Sequence, residues 1–170
     1  MYESIQRIRN FVSEPRRRYI LSKNRALWSQ CWSCLDAIED TELAIAAYSA
    51  GEFGASVGAH YLAIYGLLQA LFLQQNAVSD LCESLESLEI PKTIDNYPRL
   101  KEIKEIRNKS IGHPTKRNRK KGQPTSSHFI LRPTLSIKGF ELLSDYSDGK
   151  SESKDISVPD LIADQRKYVS

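Results

Sequence analysis

Two long apolar stripes, separated only by a short glycine-bearing stretch, constrain this chain more than any other feature. Leu27, Cys31, Leu35, Ile38 and Ile45 recur at helical spacings of three and four, with Glu42 on the same line. Asn24 is a suitable N-terminal cap and Gly51 a stop signal, so the spacing predicts one helix to about Ala50. Phe53, Val57, Tyr61, Ile64, Leu68 and Leu71 then continue the period to about Gln75. Both flanks of this second stripe are also apolar, which predicts a central helix. Gly54, Gly58 and Gly66 each lower helix stability by about 1 kcal/mol relative to alanine, a cost that a closely approaching partner helix would offset. Helices this long with a turn this short lie antiparallel.

The remaining pattern adds smaller elements. Ser4 to Val12 reads as a short amphipathic helix with Ile5, Ile8, Phe11 and Val12 on one side. Pro15 ends it, and Arg16, Arg17 and Arg18 open a basic link. Val78, Leu81, Leu85 and Leu88 form a weaker helical stripe before Pro91. A stronger helix runs from Tyr97 or Pro98 to Gly112 on Leu100, Ile103, Ile106 and Ile111. Gly112 is placed as its C-terminal cap, and Pro114 disfavours helical geometry at residue 113. From Lys116 to Ser127 there is no apolar residue, which reads as a loop. Phe129 to Leu131 and Leu135 to Tyr146 read as strands, Asp148-Gly149 as a hairpin turn, and Asp155 to Val158 as the return strand. Pro159 suits the first turn of a last helix through Tyr168, whose abrupt end suggests the N-terminal part of a longer protein. The expected fold class is therefore mostly α. An antiparallel helical bundle over residues 1–115 carries a C-terminal extension, residues 116–170, of basic loop, β-hairpin and short last helix packed on the same domain.

Composition narrows function by exclusion. At 170 residues the chain fits one ordinary domain. No apolar stretch is read as long enough to cross a bilayer, since Tyr61 to Leu73 is interrupted by Gly66 and Gln69. The first residues carry no apolar signal region, so a cytoplasmic protein with no membrane partner is expected. Cys31 and Cys34 form a C-x-x-C pair, but Cys82 is the only other cysteine, too few for the usual four-ligand zinc site. Packing on a helix is the plainer reading. No phosphate-cradling glycine loop, metal-ligand constellation or Ser-His-Asp signature is present, so neither metal nor cofactor is expected. His60 reads as a buried core histidine, while His128 opens a strand without a supporting motif. Trp28, Trp32, Tyr61 and Tyr65, at helical spacings, read as core or interface aromatics.

Charge is more telling in its distribution than in its total of +3. Between Arg99 and Lys121 ten basic residues face two acidic ones, Glu102 and Glu105. That run predicts a positive face meeting an anion.

Inside the run lies Lys104-Glu105-Ile106-Arg107-Asn108-Lys109-Ser110-Ile111-Gly112-His113-Pro114-Thr115. An Arg-Asn pair closes a helix, and a histidine follows where the helix stops. This resembles the motif of the HEPN superfamily (higher eukaryotes and prokaryotes nucleotide-binding domain). There an arginine, usually followed by a polar residue, precedes a histidine by four to six residues; here the gap is five. The context also matches, since the motif follows two long antiparallel helices, and the resemblance covers roughly Asn24 to Thr115. One departure is Thr115, where some HEPN toxins carry a tyrosine two residues after the histidine.

The resemblance implies a metal-independent endoribonuclease acting as a homodimer, with a composite site at the interface. The chemistry is self-consistent. An RNA 2′-hydroxyl attacking its own phosphate needs a group that moves protons near neutral pH, and His113 is that group. It also needs fixed positive charge on the phosphate oxygens, which Arg107 supplies as a bidentate fork. Asn108 would orient one of them or hold substrate. Ser110, one turn from both, is a candidate for lining the same cleft. Lys109, Lys116, Arg117, Arg119, Lys120 and Lys121 are the expected phosphate contacts, sequence-independent and salt-sensitive. Six positions on an ideal helix rotate the chain by about 600°, leaving Arg107 and His113 about 120° apart. Two protomers around a two-fold axis would converge paired side chains more easily than one. Toxin–antitoxin or phage-defence roles, with an antitoxin protein as partner, fit this reading. The alternative is a non-catalytic HEPN module for nucleotide or RNA binding or for dimerisation. The plain structural reading pairs Arg107 with a nearby acid and lets His113 finish a helix.

Overall fold

The computed structural model describes residues 2–85, 97–112, 114–115 and 124–169. The two long helices form as the stripes require: α3 spans Arg25–Ala50 and α4 spans Val57–Ser84. Before them come α1 (Tyr2–Ser13) and α2 (Pro15–Ser22); after them comes α5 (Pro98–Arg107), continued by a π-helical turn over Asn108–Gly112. Three strands follow, β1 (Ser126–Ile130), β2 (Gly139–Tyr146) and β3 (Ser151–Ser157), and then α6 (Val158–Val169).

The ends of α3 are set by local chemistry. The Asn24 side chain accepts from the N–H groups of Ala26 and Leu27. Gly51 adopts a left-handed φ of 73° and returns its N–H to Ala47 and Tyr48, closing the helix where a residue with a Cβ would be strained. Ser56 then caps α4 by accepting from Ala59 N–H. The antiparallel pair splits the interior in two. The first half of α3 (Cys31, Cys34, Leu35, Ile38) packs against the last part of α4 (Ala77, Leu81), with α1 and α2 contributing Ile5, Val12 and Leu21. The other ends meet in a larger core, where Ile45, Ile64, Leu68 and Leu71 pack with Leu100, Ile103 and Ile106 of α5 and with Phe140, Ile156 and Leu161. Sheet and last helix therefore share one core with the helical bundle.

Several boundaries differ from expectation. Pro15 does not lead into a link: it is the first residue of α2, where its missing N–H and fixed φ suit a helix start. The weak stripe Val78–Leu81–Leu85 is the end of α4, not a separate helix; its Leu88 lies outside the described residues. The expected hairpin is a three-stranded antiparallel meander in the order β1-β2-β3, with Ser126 opposite Tyr146 and Phe140 opposite Ile156. Arg132–Thr134 form a 3₁₀ turn, so the strand read from Leu135 begins only at Gly139. Gly66 faces open space: a Cβ there would meet nothing within 4 Å, so no helix among the described residues approaches it. His60 is only partly buried, edge-on to Phe53 with ring centroids 6.2 Å apart, instead of lying in the core. Cys31 and Cys34 are buried, and burial pushes the Cys34 thiol up to about 11.

α4 is long and apolar enough to cross a membrane, contrary to the sequence reading. Its Ile64, Leu67, Leu68 and Leu71 are buried in the core. Its Gln74 and Gln75 are fully buried and bonded into a polar chain that fastens α6. Gln75 donates to Gln165 at 2.8 Å, and Gln165 donates to Gln74 at 3.0 Å and to the Leu71 carbonyl at 3.1 Å. Among the described residues the Gln75 side-chain oxygen is left without a partner; the bonds that are made favour one docking position of α6, because a slip would leave these amides unpaired as well.

Candidate functional site

The site is set by how α5 lies against α4. Leu100, Ile103 and Ile106 are buried in the main core, which fixes the roll of α5. Arg107, the next residue, is thereby turned toward the flank of α4 near its middle. There the guanidinium is held on three sides. Nε and Nη2 both donate to the Gln69 side-chain oxygen, at 3.1 and 2.8 Å. Nη1 donates to the Asn108 side-chain oxygen at 3.0 Å. The Phe72 ring lies under the group, 4.4 Å from Cζ to the ring centroid, a favourable cation–π distance.

Donor arithmetic then matters. A guanidinium has five N–H groups. Three are used in these bonds, leaving one on Nη1 and one on Nη2. The partners found among the described residues are two amide oxygens and a ring, none of them a carboxylate. The alternative ion pair of Arg107 with Glu102 or Glu105 is not formed: Glu102 bonds Lys154 and Arg99, which holds its carboxyl below the ordinary carboxylate range. Among the described residues Arg107 thus meets no carboxylate, and two of its donors have no partner.

Past Arg107 the helix widens to π geometry for five residues, a distortion frequent at functional sites. Gly112 does not adopt the left-handed conformation of a C-terminal cap; it lies inside the π turn. Its missing side chain has a different use. A Cβ at residue 112 would stand 2.8 Å from Arg107 Nη1 and 3.3 Å from the Asn108 oxygen. The glycine leaves the space that the guanidinium occupies. Because the α-helix stops at Arg107, the 120° angle expected between Arg107 and residue 113 does not apply.

Other predicted residues fall around this centre. Asn108 is in direct contact with Arg107, as above. Ser110 is buried, 4% exposed, and its hydroxyl has no hydrogen-bond partner among the described residues. Lys109 is mostly covered and faces Glu105 at 3.9 Å. His113, Lys116, Arg117, Arg119, Lys120 and Lys121 lie outside the described residues.

Three residues near the motif carried no sequence signal. Gln69 and Phe72 on α4 hold Arg107 from 38 and 35 positions away. His128 on β1 is the third. Its backbone N–H donates to the Pro114 carbonyl at 2.6 Å, tying the motif's exit to the sheet. Its ring is buried between two hydroxyls, with Nε2 3.0 Å from Ser126 and Nδ1 2.8 Å from Ser144. A serine hydroxyl can donate or accept, so both contacts suit either role of the ring nitrogens.

One more feature borders the site. On the solvent side of α4, Leu62, Tyr65, Gly66, Gln69 and Leu73 share one face by helical spacing. Leu62 is 75% exposed, Leu73 46% and Tyr65 38%. Single exposed apolar residues are ordinary, but a stripe of them centred on Gln69 is not. Comparison with protein-family models, with curated proteins and with solved structures finds no match to this chain.

Proposed function

We propose that this chain is a metal-independent endoribonuclease of HEPN type that acts as a homodimer. The observation that carries the reading is the state of Arg107: held by Gln69, Asn108 and the Phe72 ring, with no carboxylate partner among the described residues and two N–H groups left for an anion. The sequence order Arg107-Asn108, with His113 five residues beyond, supplies the other half of the chemistry.

In the proposed reaction the 2′-oxygen of RNA attacks the adjacent phosphorus while its proton is removed. The bond from phosphorus to the 5′-oxygen breaks, and that oxygen receives a proton. The products are a 2′,3′-cyclic phosphate and a 5′-hydroxyl, with no co-reactant. Arg107 stabilises the charge on the phosphorane oxygens, and His113 carries the proton. Asn108 helps to orient Arg107.

The dimer rests on the exposed face of α4. Leu62, Tyr65 and Leu73 supply apolar area, and Gly66, with open space before it, permits a second backbone to come close. A two-fold interface on this face sets the two Arg107 side chains near the same seam, because Gln69 belongs to both the face and the arginine's hold. Incubation of single-stranded RNA with the protein in EDTA, followed by end analysis, tests the reading. Fragments ending in 2′,3′-cyclic phosphate are expected. Binding of RNA without scission would favour the non-catalytic module instead.

A further inference from the structure

We propose that Gln69 is a positioning residue whose neutrality is its function: it fixes Arg107 side-on without taking its charge, so that the arginine's two remaining donors meet one RNA phosphate. The inference rests on the ribonuclease reading above and assigns a role to a residue outside the motif.

Three observations converge. First, the Gln69 oxygen accepts from both Nε and Nη2, the edge of the guanidinium that a carboxylate would ordinarily take in a fork. An amide oxygen imposes similar geometry with no formal charge. Second, the remaining contacts of the group are also uncharged. Asn108 holds Nη1, and the Phe72 ring supports the face. Third, Gly112 leaves the room that Nη1 occupies, since an added Cβ would stand 2.8 Å from it. An arginine side chain normally has several rotatable bonds to immobilise when it binds. Here that freedom is already lost in the folded chain, so phosphate binding need not bear the cost again.

Glutamate at 69 would bond the same two nitrogens, and more strongly. It would also neutralise the charge that a phosphate requires. A purely structural role and the proposed role therefore predict opposite results for Gln69→Glu. If Gln69 only supports the fold, glutamate restores the contact and activity stays near wild type. If its neutrality matters, glutamate leaves the fold intact and removes the anion site.

The experiment uses the full chain in EDTA and compares wild type, Gln69→Glu and Gln69→Leu, each with and without Arg107→Ala. Cleavage is followed on single-stranded RNA. Binding is followed on a 2′-O-methyl oligonucleotide, which lacks the attacking hydroxyl, across a salt series. Thermal melting reports the fold. We expect Gln69→Glu to melt at or above the wild-type temperature yet to lose at least tenfold in kcat/KM. Its binding should lose about one phosphate contact, a fall of roughly 0.7 in the slope of log affinity against log salt. Gln69→Leu should lose activity through a loosened arginine. In the Arg107→Ala background neither change should matter by more than twofold, because Gln69 acts through Arg107. Wild-type cleavage and salt slope in Gln69→Glu would overturn the inference while leaving the ribonuclease reading standing. Equal losses with and without Arg107 would overturn it too, by assigning Gln69 a separate role. A wild-type protein that neither cuts nor binds RNA would overturn the reading and the inference together.

Discussion

Gly112→Ala separates stability from activity at this site. The new methyl carbon would stand 2.8 Å from Arg107 Nη1 and 3.3 Å from the Asn108 oxygen. Comfortable non-bonded separations are about 3.5 Å or more, so the guanidinium must retreat by roughly 0.7 Å. It can do so, being the end of a flexible side chain, but the retreat strains bonds that now measure 2.8 and 3.1 Å. Hydrogen bonds lengthened beyond about 3.5 Å are effectively lost. A reactive group displaced by about 1 Å can lower a rate by about 100-fold. The backbone effect runs the other way: alanine in a helical position is about 0.5–1 kcal/mol better than glycine. Gly112 has no left-handed φ to oppose it. The expected variant melts at or above the wild-type temperature and cleaves RNA 10- to 100-fold more slowly, with normal far-UV circular dichroism. Paired melting curves and initial rates measure both arms. A variant with raised stability and cleavage within twofold of wild type would refute the reasoning, because the arginine would then not act from the position described here.

Three further expectations concern interface, interior and clamp. Leu62→Arg, on the exposed α4 face, should convert a dimer to a monomer in analytical ultracentrifugation at micromolar concentration with little change in monomer melting. A wild-type monomer under the same conditions would refute the α4 interface. Alkylation requires the thiolate, and burial places Cys34 up at about 11, so Cys34 should resist iodoacetamide at pH 8 and react only as pH approaches 11 or on unfolding. Rapid labelling of Cys34 in native protein at pH 8, read by peptide mass spectrometry, would contradict its buried setting. Gln69→Glu, argued above, should lower cleavage at least tenfold without lowering the melting temperature, and wild-type rates would count against it.

How much of this was readable beforehand follows from what each signal depends on. The limits of α3 were plain because period, Asn24 and Gly51 agree at the local level. The full reach of α4 was hidden by Gln74-Gln75-Asn76, which look like a polar break. Both glutamines are buried because Gln165 on α6, about ninety residues away, receives them. Pro15 was ambiguous by nature, since proline ends one helix as readily as it starts the next. At the site, Arg107 and Asn108 were visible as a motif, whereas the hold on Arg107 was not. A single glutamine and a phenylalanine on a long apolar helix carry no local mark, and only the packing of α5 on α4 brings them to the guanidinium. β1 begins at Ser126, inside the stretch read as a loop, which hid the Ser126–His128 contact, and Ser144 joins them only through the β1–β2 register.

The central claim is most directly tested by incubating mixed cellular RNA with purified protein in EDTA, wild type beside His113→Ala. Discrete fragments are expected from the wild type and intact RNA from the variant, at equal protein concentration and equal melting temperature. Equal cleavage by both proteins would contradict that claim, since the proton-carrying role would then belong to some other group or to a contaminant.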